Sequence, residues 1–151
     1  MCARSNKKRL KGDEGMREIK FRAWDKYTEE MWNVETLHIE DEYVDLFKTN
    51  IYEKPLENPW AKISDVILMQ YTGLKDKNGV EIYEGDIVSM VVVEDKAEYS
   101  GDVVFESGCF CLNISLDGTE YKVTALEWKE TKTIITVIGN IYQNSDLLEV
   151  E

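Results

Sequence analysis

A mainly β protein is predicted, built as an SH3-like small barrel with an added N-terminal β-hairpin region and a short C-terminal helix. Short apolar runs crowd the stretch between Val66 and Ile138, turn signals containing glycine separate them, and no long amphipathic helical period interrupts them. Closing such strands into a barrel removes the edges that a long strand over 87–93 would otherwise expose.

The elements follow in order along the chain. Residues 1–15 carry mixed charge, few large apolar side chains and two glycines, and are expected to form a disordered arm. The string Lys11-Gly12-Asp13-Glu14-Gly15-Met16 is what a purine-rich ribosome-binding sequence and start codon would encode, so the native start is expected at Met16. From there one domain is expected over 16–151. Its N-terminal hairpin and loop region occupies 16–65, the barrel 66–142 and the terminal helix 143–151. Ile19, Phe21 and Ala23 alternate with Lys20, Arg22 and Trp24, giving a strand with one face turned inward. Asp25-Lys26-Tyr27-Thr28 reads as a turn, and Met31-Trp32-Asn33-Val34 as the returning strand. Residues 40–62 hold both prolines, Pro55 and Pro59, and are the least legible. Leu46, Phe47 and Ile51 suit a short helix or an irregular strand there.

Beyond that loop the pattern sharpens. Val66-Ile67-Leu68-Met69-Gln70-Tyr71 is a nearly continuous apolar run ended by Thr72-Gly73, as expected of a strand covered on both faces. Asn78-Gly79 predicts a type I′ hairpin turn, and Asp117-Gly118 a second, because both central positions of that turn need positive φ. Glu84-Gly85-Asp86 is a further turn. Strands are expected over 87–93, 103–105, 110–115, 121–123 and 134–138. Asn144-Ser145-Asp146 is placed to cap a terminal helix carrying Leu147, Leu148 and Val150.

Composition narrows the class. With 43% apolar and 32% charged residues and 16 aromatics, the 151-residue chain is globular in type. Its apolar runs fall far short of the ~20 residues of a membrane-spanning helix, which predicts a soluble protein without membrane association. Net charge is −12; residues 1–15 carry +3, leaving −15 on the rest. Such a field repels phosphate backbones and argues against direct nucleic-acid binding. Three cysteines, Cys2, Cys109 and Cys111, form an odd set with no secretory apolar segment, as expected of a reducing cytoplasm. The i,i+2 spacing of Cys109 and Cys111 puts both on one strand face and argues against a bridge between them. A zinc site needs about four ligands, and the single His38 is distant in sequence, so no metal is expected.

Three segments carry a family resemblance. They are Met16-Arg17-Glu18-Ile19-Lys20-Phe21-Arg22-Ala23-Trp24-Asp25, the stretch from Leu68-Met69-Gln70-Tyr71-Thr72-Gly73-Leu74 through Asn78-Gly79 to Ile82-Tyr83-Glu84-Gly85-Asp86-Ile87-Val88, and Val137-Ile138-Gly139-Asn140-Ile141-Tyr142 with Leu147-Leu148. Together they resemble the YopX family of phage and prophage proteins, in the family's own order. The resemblance implies a β-rich, SH3-like architecture and an origin in a bacteriophage or integrated prophage of Gram-positive or related hosts. It implies no established activity and assigns no catalytic residues.

The motifs therefore have to speak for themselves. Gly73, Gly79 and Gly85 are most simply turn glycines. The stretch 72–79 lacks the Gly-Lys-Ser/Thr ending of a phosphate loop. Asp76, Glu84 and Asp86 stand near one another in sequence as oxygen ligands for a hard cation would, yet acids beside turns usually bond local backbone. His38 has no evident partner for general-base or nucleophilic chemistry, so no catalytic residue, cofactor or metal is assigned and no enzymatic activity is expected. The expected role is a protein-binding or accessory module in the cytoplasm of the bacterial host, with a host or phage protein as partner. Trp24, Trp32, Tyr71 and Tyr83 are the candidate contact residues. The alternative role is an acidic nucleic-acid mimic that occupies a host DNA- or RNA-binding protein. Self-association through an open strand edge is a further expectation.

Overall fold

The computed structural model of the chain describes residues 18–48, 59–94, 96–124 and 132–148. The arm 1–15, the start at Met16, the loop about Pro55 and the end of the expected helix lie outside the described residues. Two antiparallel sheets, of six and five strands, organise the rest.

The first sheet begins with the expected hairpin, β1 (Phe21–Asp25) and β2 (Glu30–His38), in which Ala23 faces Trp32. Asp25 Oδ1 accepts the amides of Tyr27 and Thr28, which folds the connecting turn. Then come β3 (Tyr43–Phe47), β4 (Trp60–Lys62), β5 (Val66–Lys75) and β6 (Glu81–Tyr83), giving the order β4-β3-β2-β1-β5-β6. Alternation decides which side chains go in: Val44 and Leu46 join Ala23 and Val66 in a buried cluster, while Tyr43, Asp45 and Phe47 point away from it. Ile19, expected to face inward with Ala23, precedes β1 and is 68% exposed.

The second sheet holds β7 (Asp86–Val92), β8 (Glu98–Glu106), β9 (Cys109–Leu116), β10 (Thr119–Thr124) and β11 (Thr133–Asn140), in the order β10-β9-β8-β7-β11. Ile82 of β6 joins its core of Val88, Met90, Val103, Leu112 and Ile114, so the short β6 belongs to one sheet by hydrogen bonding and to the other by packing. Asp117 and Gly118 both have positive φ, +50° and +75°, as the expected type I′ turn requires. Ser107 and Gly108, at +52° and +82°, make an equivalent turn between β8 and β9.

Three expectations are corrected. No closed barrel forms among the described residues: β10 and β11 end the five-stranded sheet on opposite sides without pairing. The reason lies in β5, whose first half is hydrogen-bonded to β1 from Asp25↔Val66 to Phe21↔Gln70 and so belongs to the neighbouring sheet. The Asn78-Gly79 loop is not type I′, since only Gly79 of the pair has positive φ. Asp76 builds a longer loop instead, its Oδ1 accepting the amides of Asn78 and Val80. Among the described residues no α-helix follows β11. Ser145–Leu148 is a single 3-10 turn, and the side chain expected to cap a helix points backwards: Asn144 Oδ1 accepts the amide of Asn140 at 3.2 Å.

Candidate functional site

The three family-like segments meet at the junction of the sheets. Alternation turns Arg22 and Trp24 to the face of β1 opposite Ala23, where the turn between β6 and β7 and the segment after β11 reach them. Arg22 donates to the Glu84 carbonyl at 3.1 Å and pairs with Asp86 Oδ1 at 2.7 Å, with its guanidinium 5.0 Å from the centre of the Tyr83 ring. Asp86 is 1% exposed, and its second oxygen accepts the Tyr83 amide at 2.8 Å. Burial pushes this carboxyl up, against the opposing pull of Arg22 and the Tyr83 amide. Beside it Lys20 pairs with Glu81 at 2.7 Å, and the Tyr83 hydroxyl donates to Glu81 at 2.9 Å. Burial first, then that bond to Glu81, pushes the Tyr83 phenol up to about 12. Trp24 stacks on Tyr142 with ring centres 5.4 Å apart. These groups are committed to one another. They form a latch between the sheets.

A second cluster lies at the free end of the six-stranded sheet. His38 opposes Tyr43 across β2 and β3, and Asp45 opposes Trp60 across β3 and β4, which gathers the four side chains. The His38 and Tyr43 rings stack at 4.0 Å, Trp60 meets Tyr43 edge-on at 6.1 Å, and His38 Nε2 donates to Asp45 Oδ2 at 2.8 Å. The Trp60 indole is 63% exposed on the three-residue edge strand. Exposed Glu35, Glu40, Asp41 and Glu42 lie on β2 and the following turn, and exposed Lys62 stands opposite Tyr43 on β4. The arrangement is an aromatic ledge, suited to stacking, with acids on the neighbouring turn and Lys62 beside it.

The structure separates the four aromatics that sequence nominated. Tyr71 and Tyr83 are only 4% and 8% exposed and pack on each other, so the expectation that they form a contact surface is corrected: both are core. Trp24 and Trp32 are half-buried, Trp24 against Tyr142 and Trp32 beside the Ala23 cluster, with Lys48 Nζ 4.3 Å from its ring centre. Tyr43 and Trp60, which form the ledge, escaped sequence analysis. The alternation in Tyr43-Val44-Asp45-Leu46-Phe47 was the available signal. Leu46, Phe47 and Ile51 suit a short helix as well as an irregular strand, and the structure makes Tyr43–Phe47 a strand.

The remaining ligand-type residues are placed as follows. Asp76 accepts the Asn78, Val80 and Val137 amides, Glu84 accepts the Gln70 amide, and Asp86 holds Arg22, so all three acids serve the fold. Cys109 is exposed and Cys111 buried, with their sulfurs 3.5 Å apart. Among the described residues no group of three or more His, Cys, Asp or Glu side chains is placed to hold a metal ion, and no helix is long and apolar enough to cross a membrane.

An all-antiparallel protein of two open sheets, locked through a buried Arg–Asp pair, is the class that this geometry defines. The family model described as YopX protein matches residues 20–149. The chain belongs to the YopX family. It is similar to the SPbeta prophage-derived uncharacterized protein YopX of Bacillus subtilis (strain 168), at 38% identity over 71 residues. That match covers 47% of this chain and 52% of the relative, so the chain spans about half the length of the curated relative it matches. Among solved structures, the crystal structure of protein EF1440 from Enterococcus faecalis is 29% identical with a TM-score of 0.58, covering 89% of this chain and all of that one. The crystal structure of protein yopX from Bacillus subtilis, at 23% identity and TM-score 0.54, covers 87% of this chain and 97% of that one, a likeness of fold.

Proposed function

We propose that this YopX-family protein is a non-enzymatic binding module that docks an extended, basic segment of a host or phage protein on the His38–Tyr43–Trp60 ledge. The observation that carries the reading is Trp60: a large indole on an edge strand that meets Tyr43 edge-on and leaves most of its surface exposed. Tryptophan at the centre of an interface contributes more than most residues, and an edge strand offers unpaired backbone groups to an incoming strand. Glu35, Glu40, Asp41 and Glu42 supply charge complementarity for lysine and arginine side chains flanking an apolar anchor. We also read the five-stranded sheet, with the loop between β5 and β6 laid across its β11 edge, as an opened SH3-like barrel. Support for that comes from Lys77, whose amide donates to the Ile135 carbonyl at 3.0 Å, and from Asp76, which accepts the Val137 amide. The prophage origin of the relative supports a site of action in the bacterial cytoplasm.

The test is capture of host proteins by immobilised wild-type protein and by Trp60→Ala, at about 0.05 M and about 0.5 M salt. The ledge reading expects one specific partner set that high salt weakens but does not abolish, and that Trp60→Ala reduces at least about tenfold at both salt concentrations. Equal capture by the variant overturns it. Capture that ignores Trp60 and collapses at high salt favours the acidic-mimic reading, for which the net charge of −12 is the motive.

A further inference from the structure

We propose that Cys109 and Cys111 form a preorganised dithiol site for a trivalent thiophilic centre of the arsenic or antimony type, bound through both sulfurs. The pair follows the tight turn at Ser107-Gly108 and lies on one face of β9, with Cys109 opposite Glu106 and Cys111 opposite Val104. Their sulfurs are 3.5 Å apart, and in the thiol state one S–H donates to the other sulfur. Cys109 is open to solvent while Cys111 is buried, so one thiol makes the encounter and the other closes the ring.

Geometry selects the ligand class. A direct disulfide needs sulfurs ~2.05 Å apart, whereas alternate residues of a strand have Cα atoms ~6.6–6.8 Å apart, at the limit of what a disulfide spans. Closing it would bend β9 where it is hydrogen-bonded to both β8 and β10. One intervening atom removes that demand. With bonds to sulfur of ~2.3 Å, the existing separation subtends an angle of about 100° at the bridging atom. That angle fits a pyramidal three-coordinate centre and not a linear one. Two protein sulfurs also suffice for a trivalent centre that brings its own third substituent, whereas zinc would need about two further ligands.

The reaction balances without a redox partner. An organoarsenic dihydroxide, R–As(OH)₂, and two thiols give R–As(S–Cys)₂ and two waters: two As–O bonds and two S–H bonds break, two As–S bonds form, and each thiol proton leaves on an arsenic hydroxide. Arsenic stays trivalent. Burial and the neighbouring Cys109 raise the Cys111 thiol, so it gives up its proton to an arsenic hydroxide only as its As–S bond forms, after the exposed Cys109 has made the first.

The probe is phenylarsine oxide, followed by intact-mass measurement on the full chain, with circular dichroism before and after. Wild-type protein is expected to take up one equivalent that survives excess monothiol, is released by ethanedithiol and leaves the β-sheet spectrum unchanged. Cys109→Ser, a change at an exposed position, is expected to lose the monothiol-resistant adduct. Cys2→Ser is expected to keep it. A wild-type adduct stripped by monothiol as readily as that of Cys109→Ser, or an adduct retained in Cys109→Ser, would overturn the assignment. So would loss of the sheet spectrum on binding, because the site is inferred to need no movement of β9.

Discussion

Asp76 shows how one side chain can hold two sheets together. Its carboxylate accepts amides from its own loop, Asn78 and Val80, and one from β11, Val137. Burial works to raise this acid, and the amides of Val80, Val137 and Asn78 outweigh it, leaving the group below the ordinary carboxylate value of about 3.9. A carboxyl with a depressed folded pKa contributes stability that is present above the unfolded value and is lost as pH falls through the folded one. Asp76→Asn, which cannot accept three amides in the same way, is expected to cost about 1–3 kcal/mol at neutral pH. The gap to wild type should close as pH falls below about 4. Urea denaturation of both proteins from neutral pH down to about 3 checks it, and a gap that does not narrow refutes the linkage. Arg22 supplies the converse case. Arg22→Met leaves the buried Asp86 unpaired and is expected to cost about 3–5 kcal/mol. That loss should shrink on acidification as Asp86 takes a proton, and a pH-independent loss would mean that packing rather than charge sets the effect.

Among the strands, pairing is specified by a few positions where only glycine fits. At Gly101 of β8 an added Cβ would lie 2.1 Å from the backbone carbonyl oxygen of Asn113 on β9. Backbone cannot step aside there without breaking the ladder that continues from Gly101↔Ile114 to Glu106↔Cys109. Gly101→Ala is therefore expected to destabilise by about 3 kcal/mol or more. Gly118 makes the useful contrast: nothing lies within 4 Å of an added Cβ, but its φ is +75°. Gly118→Ala is expected to cost only about 1–2 kcal/mol, from backbone conformation alone. Melting temperatures of the two variants, measured together, decide it; equal losses would refute the steric account of Gly101.

For the molecule as a whole, charge repulsion opposes packing. The chain carries −12, and many of its acids, among them Glu40, Asp41, Glu42, Glu94 and Glu120, lie on exposed turns and strand positions. Ion pairs such as Lys20–Glu81, Lys48–Glu30 and Lys122–Glu106 offset part of this. Being partly open to solvent, each such pair contributes modestly. Salt screens long-range repulsion, so raising it from about 0.05 to 0.5 M should raise the melting temperature by a few degrees. A fall would show that paired charges outweigh repelling ones. Trp60→Ala, by contrast, should change stability by no more than about 0.5 kcal/mol, which is what makes it usable as a binding variant.

Sequence alone determined the β class, the β1–β2 hairpin, the Asp117-Gly118 turn and most strands from Val66 onward, because alternation and turn chemistry are local properties. The family was legible because its motif segments are contiguous runs in the chain; Arg22, Tyr83, Asp86 and Tyr142 within them meet where the two sheets join. Tertiary structure decided the rest. Whether β5 closes a barrel or joins β1 depends on which strand pairs with it across some forty residues, and no local pattern encodes that choice. The same holds for exposure: Tyr71 and Trp60 are both large aromatics on strands. Tyr71 is covered by Tyr83 and Lys20, which β6 and the segment before β1 bring to it, whereas Trp60 sits on an edge strand and stays open.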